Sequence, residues 1–558
     1  MEDLHYKWEA YALSQPTEPQ IASSLSDFQI YLAHEADRPK KKAKIGTPHT
    51  SRTRQVATPL RQIQSSATKP STPLPAHIDR SGILPSSSDF PSSPVAHYSS
   101  RQNSGKVILT LNENVAVNPS IPSAPAHFAP NVSATEHNYR PMYQQLSDAS
   151  KVLDQQIERM IKIFTDEGGI NEHDIVNPAR TIQDEAIVIG RLGSDEPGYK
   201  QRLHPKGITI QTCRRLGAGT QTRLDLDQLS AFSFFPGQIV ALKGTNPSGS
   251  SFVVKEVIAP PQMPFAMVSS ENQKELEAKR GENPLRLVAA AGPFTTQDNL
   301  DFHPLQDLVK TIQETKPSSV ILVGPFVEGD HPMLWSSQKT DSFDSLHEIF
   351  AQKVVPILND LDQNIPVILL PSTKDVITEN LQYPQPQFSR KELGLPKNFK
   401  MVPNPAIFSL DEVVITATSS DSVQDILSSR TVEQNQQGSG FSQACRSILE
   451  QRRVYPLFPG FQSGDTPTEE SVFEVSLRRE QRPGVPLDVS HLNLADMVLA
   501  PNVLIVPSLT RPSAEIVNNV VCINPGFLSK KSNGGTYAVI SGSAGPFWRN
   551  SRVDIVLI

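Results

Sequence analysis

RLVAAAGPF (286–294), SSVILVGPF (318–326) and IPVILLPS (365–372) are three short apolar runs that each close on a proline turn, and EVVITATSS (412–420) follows as a fourth. Such runs are too short for helices, and their β-branched content suits strands buried on both faces. Between the first two, Leu305, Leu308, Val309 and Ile312 trace a helical stripe. Between the second and third, Phe343, Leu346, Phe350, Val354 and Ile357 trace another. Strands that alternate with helices predict an α/β layer architecture over 284–558. NVLIVPS (502–508), VVCINPG (520–526) and TYAVIS (536–541) add later strands.

Upstream the period changes. EAIVIGRL (185–192), GITIQ (207–211), TRLDL (222–226), QIVALKGT (238–245) and SFVVKEVI (251–258) are short alternating runs parted by glycine and proline. Five strands in so little chain predict a small barrel over 181–262, best matched by an OB fold. Before it, Leu146, Leu153, Ile157, Met160, Ile161 and Phe164 mark one amphipathic helix within 141–180, which Gly168-Gly169 can end and which should pack on the chain after it.

Residues 38–140 turn to serine, threonine and proline with few aromatics, and read as a disordered tether. Lys40, Lys41, Lys42 and Lys44 form a cationic run that an import receptor could read, or simply a solvated linker flank. Thr47, Thr58, Thr72 and Ser93 each precede proline. They are candidates for proline-directed phosphorylation, although prolines also serve to keep a linker extended. Residues 1–37 read as a two-helix segment, with Leu4, Trp8 and Tyr11 and then Ile21, Leu25, Phe28 and Leu32 at helical spacing, too small to hold a core alone.

The 558 residues carry a net charge of −6, which supplies no global drive toward nucleic acid. Three cysteines, Cys213, Cys445 and Cys522, stand far apart and form no CxxC pair, which excludes a cysteine zinc module and fits a reducing compartment. No run reaches the roughly 18–20 apolar residues of a membrane helix, and MEDLHYKWEA is no signal peptide, so a soluble intracellular protein is expected.

In an α/β sheet, reactive groups sit on loops at the carboxyl ends of the strands. Here those ends read Ala291-Gly292-Pro293, Gly324-Pro325-Phe326-Val327-Glu328, Pro371-Ser372-Thr373-Lys374-Asp375 and Asn524-Pro525-Gly526-Phe527. With a barrel before it, this order of elements resembles the calcineurin-like phosphoesterase domain as used in the B subunits of replicative DNA polymerases. Active members of that superfamily carry D-x-H, G-D-x-x-D, G-N-H-D/E and G-H-x-H at these ends, where two metals about 3.5–4 Å apart activate water. Against that pattern Ala291, Pro293, Pro325, Glu328, Asp375 and Asn524 are degenerate positions. Only His303, His331, His347 and His491 follow Arg286, and none falls on a motif position. Glu328, Asp330 and Asp375 read as loop or capping residues, and His331 as an exposed loop histidine. No catalytic residue, metal or cofactor is expected.

The resemblance is closest to the B subunit of DNA polymerase alpha–primase and runs from about Asp184 to the end. It is carried by FPGQIVALKGTNPSGSSFVVKEV (235–257), AAGPFTTQDNLDFHPLQDLV (290–309) and VVCINPGFLSKKSNGGTYAVI (520–540). It implies a nuclear, non-catalytic scaffold that grips the zinc-binding C-terminal region of the catalytic subunit, and primase through it, in support of RNA–DNA primer synthesis. A stable grip of this kind buries roughly 1,600 Å². The N-terminal helical part is shorter than the family's. Alternatives are a B subunit of polymerase delta or epsilon, or an active metallophosphoesterase. DNA binding by the barrel alone is not expected, because Phe232, Phe234 and Phe235 crowd beside the Pro236-Gly237 turn, where packing is the plainer use.

Overall fold

Period-2 alternation sorts the strand side chains of the body between two cores. In the strand Leu285–Ala291, Leu287, Ala289 and Ala291 point to one side and Val288 and Ala290 to the other. Ser319–Val323 and Val367–Leu370 divide in the same way. A computed structural model of the chain describes residues 98–115, 124–131, 137, 139–141, 143–195, 202–266, 285–335, 345–433, 438–460, 484–542 and 546–558. The 1–37 segment, Lys40, Lys41, Lys42, Lys44, Thr47, Thr58, Thr72 and Ser93 lie outside the described residues.

The first sheet has the order Val107–Leu111, Ser551–Leu557, Thr536–Gly542, Leu285–Ala291, Ser319–Val323, Val367–Leu370, Phe399–Met401. Its last four strands are parallel. The second runs Ser513–Val517, Val520–Asn524, Val503–Ile505, Val413–Ala417, Ala406–Leu410, Phe128–Pro130. One core lies between the sheets, with Leu287, Ile321 and Ile368 from the first meeting Ile415, Val503 and Ile523 from the second. Helix His303–Thr315 and the helical run Leu346–Asn359, which has a π turn at Phe350–Val354, cover the outer face of the first sheet. Helices Ser422–Ser429 and Gly440–Glu450 cover the second. The α/β expectation thus resolves into four layers: each sheet has helices on one face only, and the other sheet closes the second face.

The barrel closes through Ile182–Ser194, Ile208–Gln211, Gln221–Asp225, Ser251–Ile258 and Ile239–Asn246. Alternation again decides the packing. Val188, Val240 and Leu242 fill the interior with Ile210, Leu224 and Phe252, while Ile189, Ile239 and Ala241 face outward. That outward apolar patch is covered by Ile157, Met160, Ile161 and Phe164 of helix Leu146–Asp166. Gly169 follows the helix at φ +70°, the left-handed region that glycine enters without a Cβ clash.

The expected linker 38–140 needs correction at its C-terminal end. Val107–Leu111 pairs antiparallel with the C-terminal strand Ser551–Leu557, and Phe128–Pro130 pairs with Ala406–Leu410, so each sheet takes an edge strand from this region. Tyr98 and Arg101 pin its start: the Tyr98 hydroxyl donates to Asp307 Oδ2 at 2.9 Å, and Arg101 Nε donates to the Ile558 carbonyl at 2.9 Å. Serine- and proline-rich flanks hide a five-residue apolar run, VILTL, from any compositional window. Its reason to be ordered is a partner strand more than 400 residues away.

Candidate functional site

Parallel strands place their carboxyl ends on one side, so the loops after Leu285–Ala291, Ser319–Val323 and Val367–Leu370 share a face. There the first two loops nearly touch. A Cβ on Gly292 would overlap the Pro325 carbonyl oxygen, and one on Gly324 would overlap the Asp375 carboxylate. Both glycines lead into cis prolines, Pro293 and Pro325, and Ala291 is buried in its strand. At these two points the first loop packs against the second loop's backbone, and the second loop against a carboxylate of the third.

Asp375 is 2 % exposed and faces that backbone. Its Oδ1 accepts from the N–H groups of Phe326 and of Val327 (3.1 Å), and its Oδ2 accepts from Ser372 N–H at 3.1 Å. Burial pushes its carboxyl up to about 7, against those three donors, and Glu328 nearby adds to the rise. Asp375 and Glu328 are brought together across an antiparallel bridge, and Asp330 is exposed. Oδ1 therefore ties the second loop to the third, while Oδ2 closes the third loop on itself.

Asn524, at the end of its strand in the second sheet, organises different loops. Its Oδ1 accepts from Ser508 N–H and Gly526 N–H, both at 2.9 Å, and its Nδ2 donates to Thr510 Oγ1 and the Arg511 carbonyl, both at 3.1 Å. His331 corrects an expectation: it is buried at 2 % exposure, not an exposed loop histidine. Its Nε2 donates to the Thr296 carbonyl at 3.0 Å and its Nδ1 accepts from Met333 N–H at 3.2 Å, which fastens the first loop to the second. Both ring nitrogens of this buried histidine are thus satisfied by backbone groups.

The two-metal centre of active phosphoesterases does not fit these residues. Ala291, Pro293 and Pro325 offer no ligand atom, and the polar atoms of Asp375, Asn524 and His331 are spent on loop backbone. Among the described residues no group of three or more His, Cys, Asp or Glu could hold a metal ion.

Sequence reading missed the residue that joins the strand ends of the two sheets. Asn404 Nδ2 donates to Gln385 Oε1 (2.9 Å) and Ser419 Oγ (2.8 Å), and Ser419 Oγ donates on to the Pro371 carbonyl at 2.8 Å. In sequence it is an Asn-Pro step like any turn. The barrel–body junction was equally hidden. Gln451 acts as a one-residue β partner, accepting from Ile239 N–H at 2.8 Å and donating to Ile239 O at 2.9 Å. Arg452 forms a two-pronged pair with Glu167 at the end of the long helix, and that hydrogen bonding holds the Glu167 carboxyl below its usual range. Asp496 bridges Arg159 of that helix and Arg453 of the body. Buried Arg191 donates to Leu153 O (2.9 Å) and Gln156 Oε1 (2.7 Å). In the barrel Phe232, Phe234, Phe235 and Phe252 are all buried, so these rings present no stacking platform to a nucleic acid, and Tyr199 lies outside the described residues.

A barrel braced by a long helix and joined to a sandwich of two sheets, whose strand-end residues organise loops, is the architecture to be placed, and the comparisons give its class: the B subunits of DNA polymerases. The profile of the family described as the DNA polymerase alpha/epsilon B subunit matches residues 287–515, the greater part of the sandwich. That of the OB domain of the DNA polymerase alpha B subunit matches 150–259, the long helix with the barrel. The DNA polymerase alpha B subunit of Schizosaccharomyces pombe is 32% identical over 545 residues, covering 96% of this chain and 90% of the relative. That of Saccharomyces cerevisiae is 33% identical over 79% of this chain and 68% of its own length, and that of Rattus norvegicus 28% over 82% and 71%. A solved archaeal phosphodiesterase aligns over 49% of the chain at 11% identity with a TM-score of 0.24, too slight a likeness to carry weight. The chain belongs to the family of DNA polymerase alpha B subunits.

Proposed function

We propose that this chain is a non-catalytic scaffold of the polymerase alpha–primase assembly. It binds the zinc-containing C-terminal region of the catalytic subunit, reaches primase through it, and supports RNA–DNA primer synthesis in the nucleus. The observation that carries the reading is the chemistry of the strand ends: Ala291, Pro293 and Pro325 bring no side-chain ligand atom there, and the buried Asp375 carboxylate is taken up by three backbone N–H groups. The barrel, its rings turned inward, serves as a protein-binding surface, not as a DNA platform. Lys40, Lys41, Lys42 and Lys44 supply the import signal in this reading, and Thr47, Thr58, Thr72 and Ser93 are the sites at which phosphate would offset the local positive charge.

The test is co-expression with the polymerase alpha catalytic subunit, followed by purification in manganese-containing buffer and assay on bis-(4-nitrophenyl) phosphate. A stoichiometric complex without turnover is expected. Hydrolysis that disappears in Asp375→Asn would overturn the scaffold reading, as would a chain that elutes alone while its catalytic partner stays soluble.

A further inference from the structure

The seam between barrel and sandwich holds a cavity of about 300 Å³. Its walls come from both parts: Pro260, Pro261 and Met263 follow the barrel strand Ser251–Ile258, while Leu449, Ala500 and Val520 belong to the core over the outer face of the second sheet. The walls are fastened to each other. Arg452 Nη2 donates to the Pro261 carbonyl at 3.2 Å, and the Ala500 N–H donates to the Pro264 carbonyl at 2.9 Å. A cavity framed by such bonds is formed before anything enters it, which lowers the cost of binding there.

One lining side chain is out of keeping with these walls. Glu450 ends helix Gly440–Glu450 and is only partly exposed, yet its carboxylate makes no hydrogen bond or ion pair among the described residues. Burial pushes that carboxyl above its usual range, and the pull of Arg446, one helical turn back, does not offset it. The last turn of a helix is also its negative end, where a carboxylate is disfavoured. In the free chain Glu450 therefore costs stability on two counts, and a cation beside it relieves both. A metal ion needs several oxygen ligands, and this one carboxylate supplies too few. Apolar walls suit the stem of a long side chain whose charged head meets the carboxylate, and Arg446, exposed on the rim, has water to turn to when a second cation arrives. We propose that this cavity receives an arginine or lysine side chain from a segment of another subunit of the assembly, its stem against Pro260, Pro261 and Met263 and its charge on Glu450. The inference rests on the scaffold reading above and deepens it by naming the pocket and the chemistry of the side chain it takes.

The test uses the full chain in the purified polymerase alpha–primase complex, with the photo-cross-linker benzoylphenylalanine placed at Gln262, an exposed residue of the cavity lining, and the joined peptides identified by mass spectrometry. The expected product joins this position to a partner peptide that carries arginine or lysine. Glu450→Gln, which keeps the shape and removes the charge, should lower its yield about tenfold while the complex stays intact. The same substitution should raise the melting temperature of the full chain purified without its partners, because it removes the unpaired charge. A melting temperature unchanged or lowered by Glu450→Gln, no cross-link or one confined to this chain, a partner peptide without arginine or lysine, or a yield indifferent to the substitution overturns the pocket and leaves the scaffold standing. A catalytic subunit that stays soluble while this chain elutes alone overturns both.

Discussion

Asp375 shows how a carboxylate at a strand end can serve the backbone around it. A carboxylate at the end of a parallel strand is legible in sequence as a candidate ligand. Its acceptance of three N–H bonds is not, because the donors lie 49 and 48 residues upstream, at Phe326 and Val327, as well as at Ser372. Its folded value of about 7 stands above the ordinary 3.8, mainly through burial. The stability it contributes is therefore full below pH 3.8 and is lost as pH rises through about 7. Asp375→Asn should flatten this term, so that the difference in urea midpoint between wild type and variant falls steadily from about pH 4 to about pH 7. Parallel curves would contradict it. Gly292→Ala drives a methyl group into the Pro325 carbonyl and should cost about 1–3 kcal/mol in chemical denaturation. His331 carried no sequence signal for burial, since a histidine before proline looks like any exposed turn.

At the scale of elements, periodicity identified seven strands of the body, the long helix and the five barrel strands, because each is patterned by its own neighbours. Other strands escaped, among them Phe399–Met401, Ala406–Leu410, Ser513–Val517 and Ser551–Leu557 of the two sheets. Val107–Leu111 and Phe128–Pro130 escaped as short edges, ordered by distant partners and flanked by the composition of a tether. An open edge left on Ser551–Leu557 would present unpaired backbone groups to other chains. A chain truncated to begin at Tyr98 should therefore match the full-length protein in thermal stability and in its freedom from aggregates by size exclusion. One begun at residue 141 should aggregate at a lower temperature. Equal behaviour of the two truncations would return 98–131 to the tether.

Across the whole molecule, barrel, long helix and sandwich are joined by polar groups that a linear reading cannot pair. Asp496 is shared by Arg159 and Arg453, whose positions in the chain are 294 residues apart. Removing this buried carboxylate leaves the buried Arg453 guanidinium uncompensated, at a cost of about 3–5 kcal/mol, and frees the part-exposed Arg159 to water. Asp496→Ala should turn a single calorimetric transition of the folded part into two, with the barrel melting first. A single transition at an unchanged midpoint would mean that the junction carries little of the coupling.

The sequence by itself determined the class of each folded part and the absence of metal-binding motifs at the strand ends, because hydrophobic period and residue type are local properties. Tertiary structure alone decided that two sheets pack face to face, that the tether's last thirty-odd residues finish their edges, and that Asp375, Asn524 and His331 serve backbone N–H and carbonyl groups. Those outcomes depend on which distant groups meet once the chain has closed, and a hydrogen bond has no signature at either of its ends until both are in place.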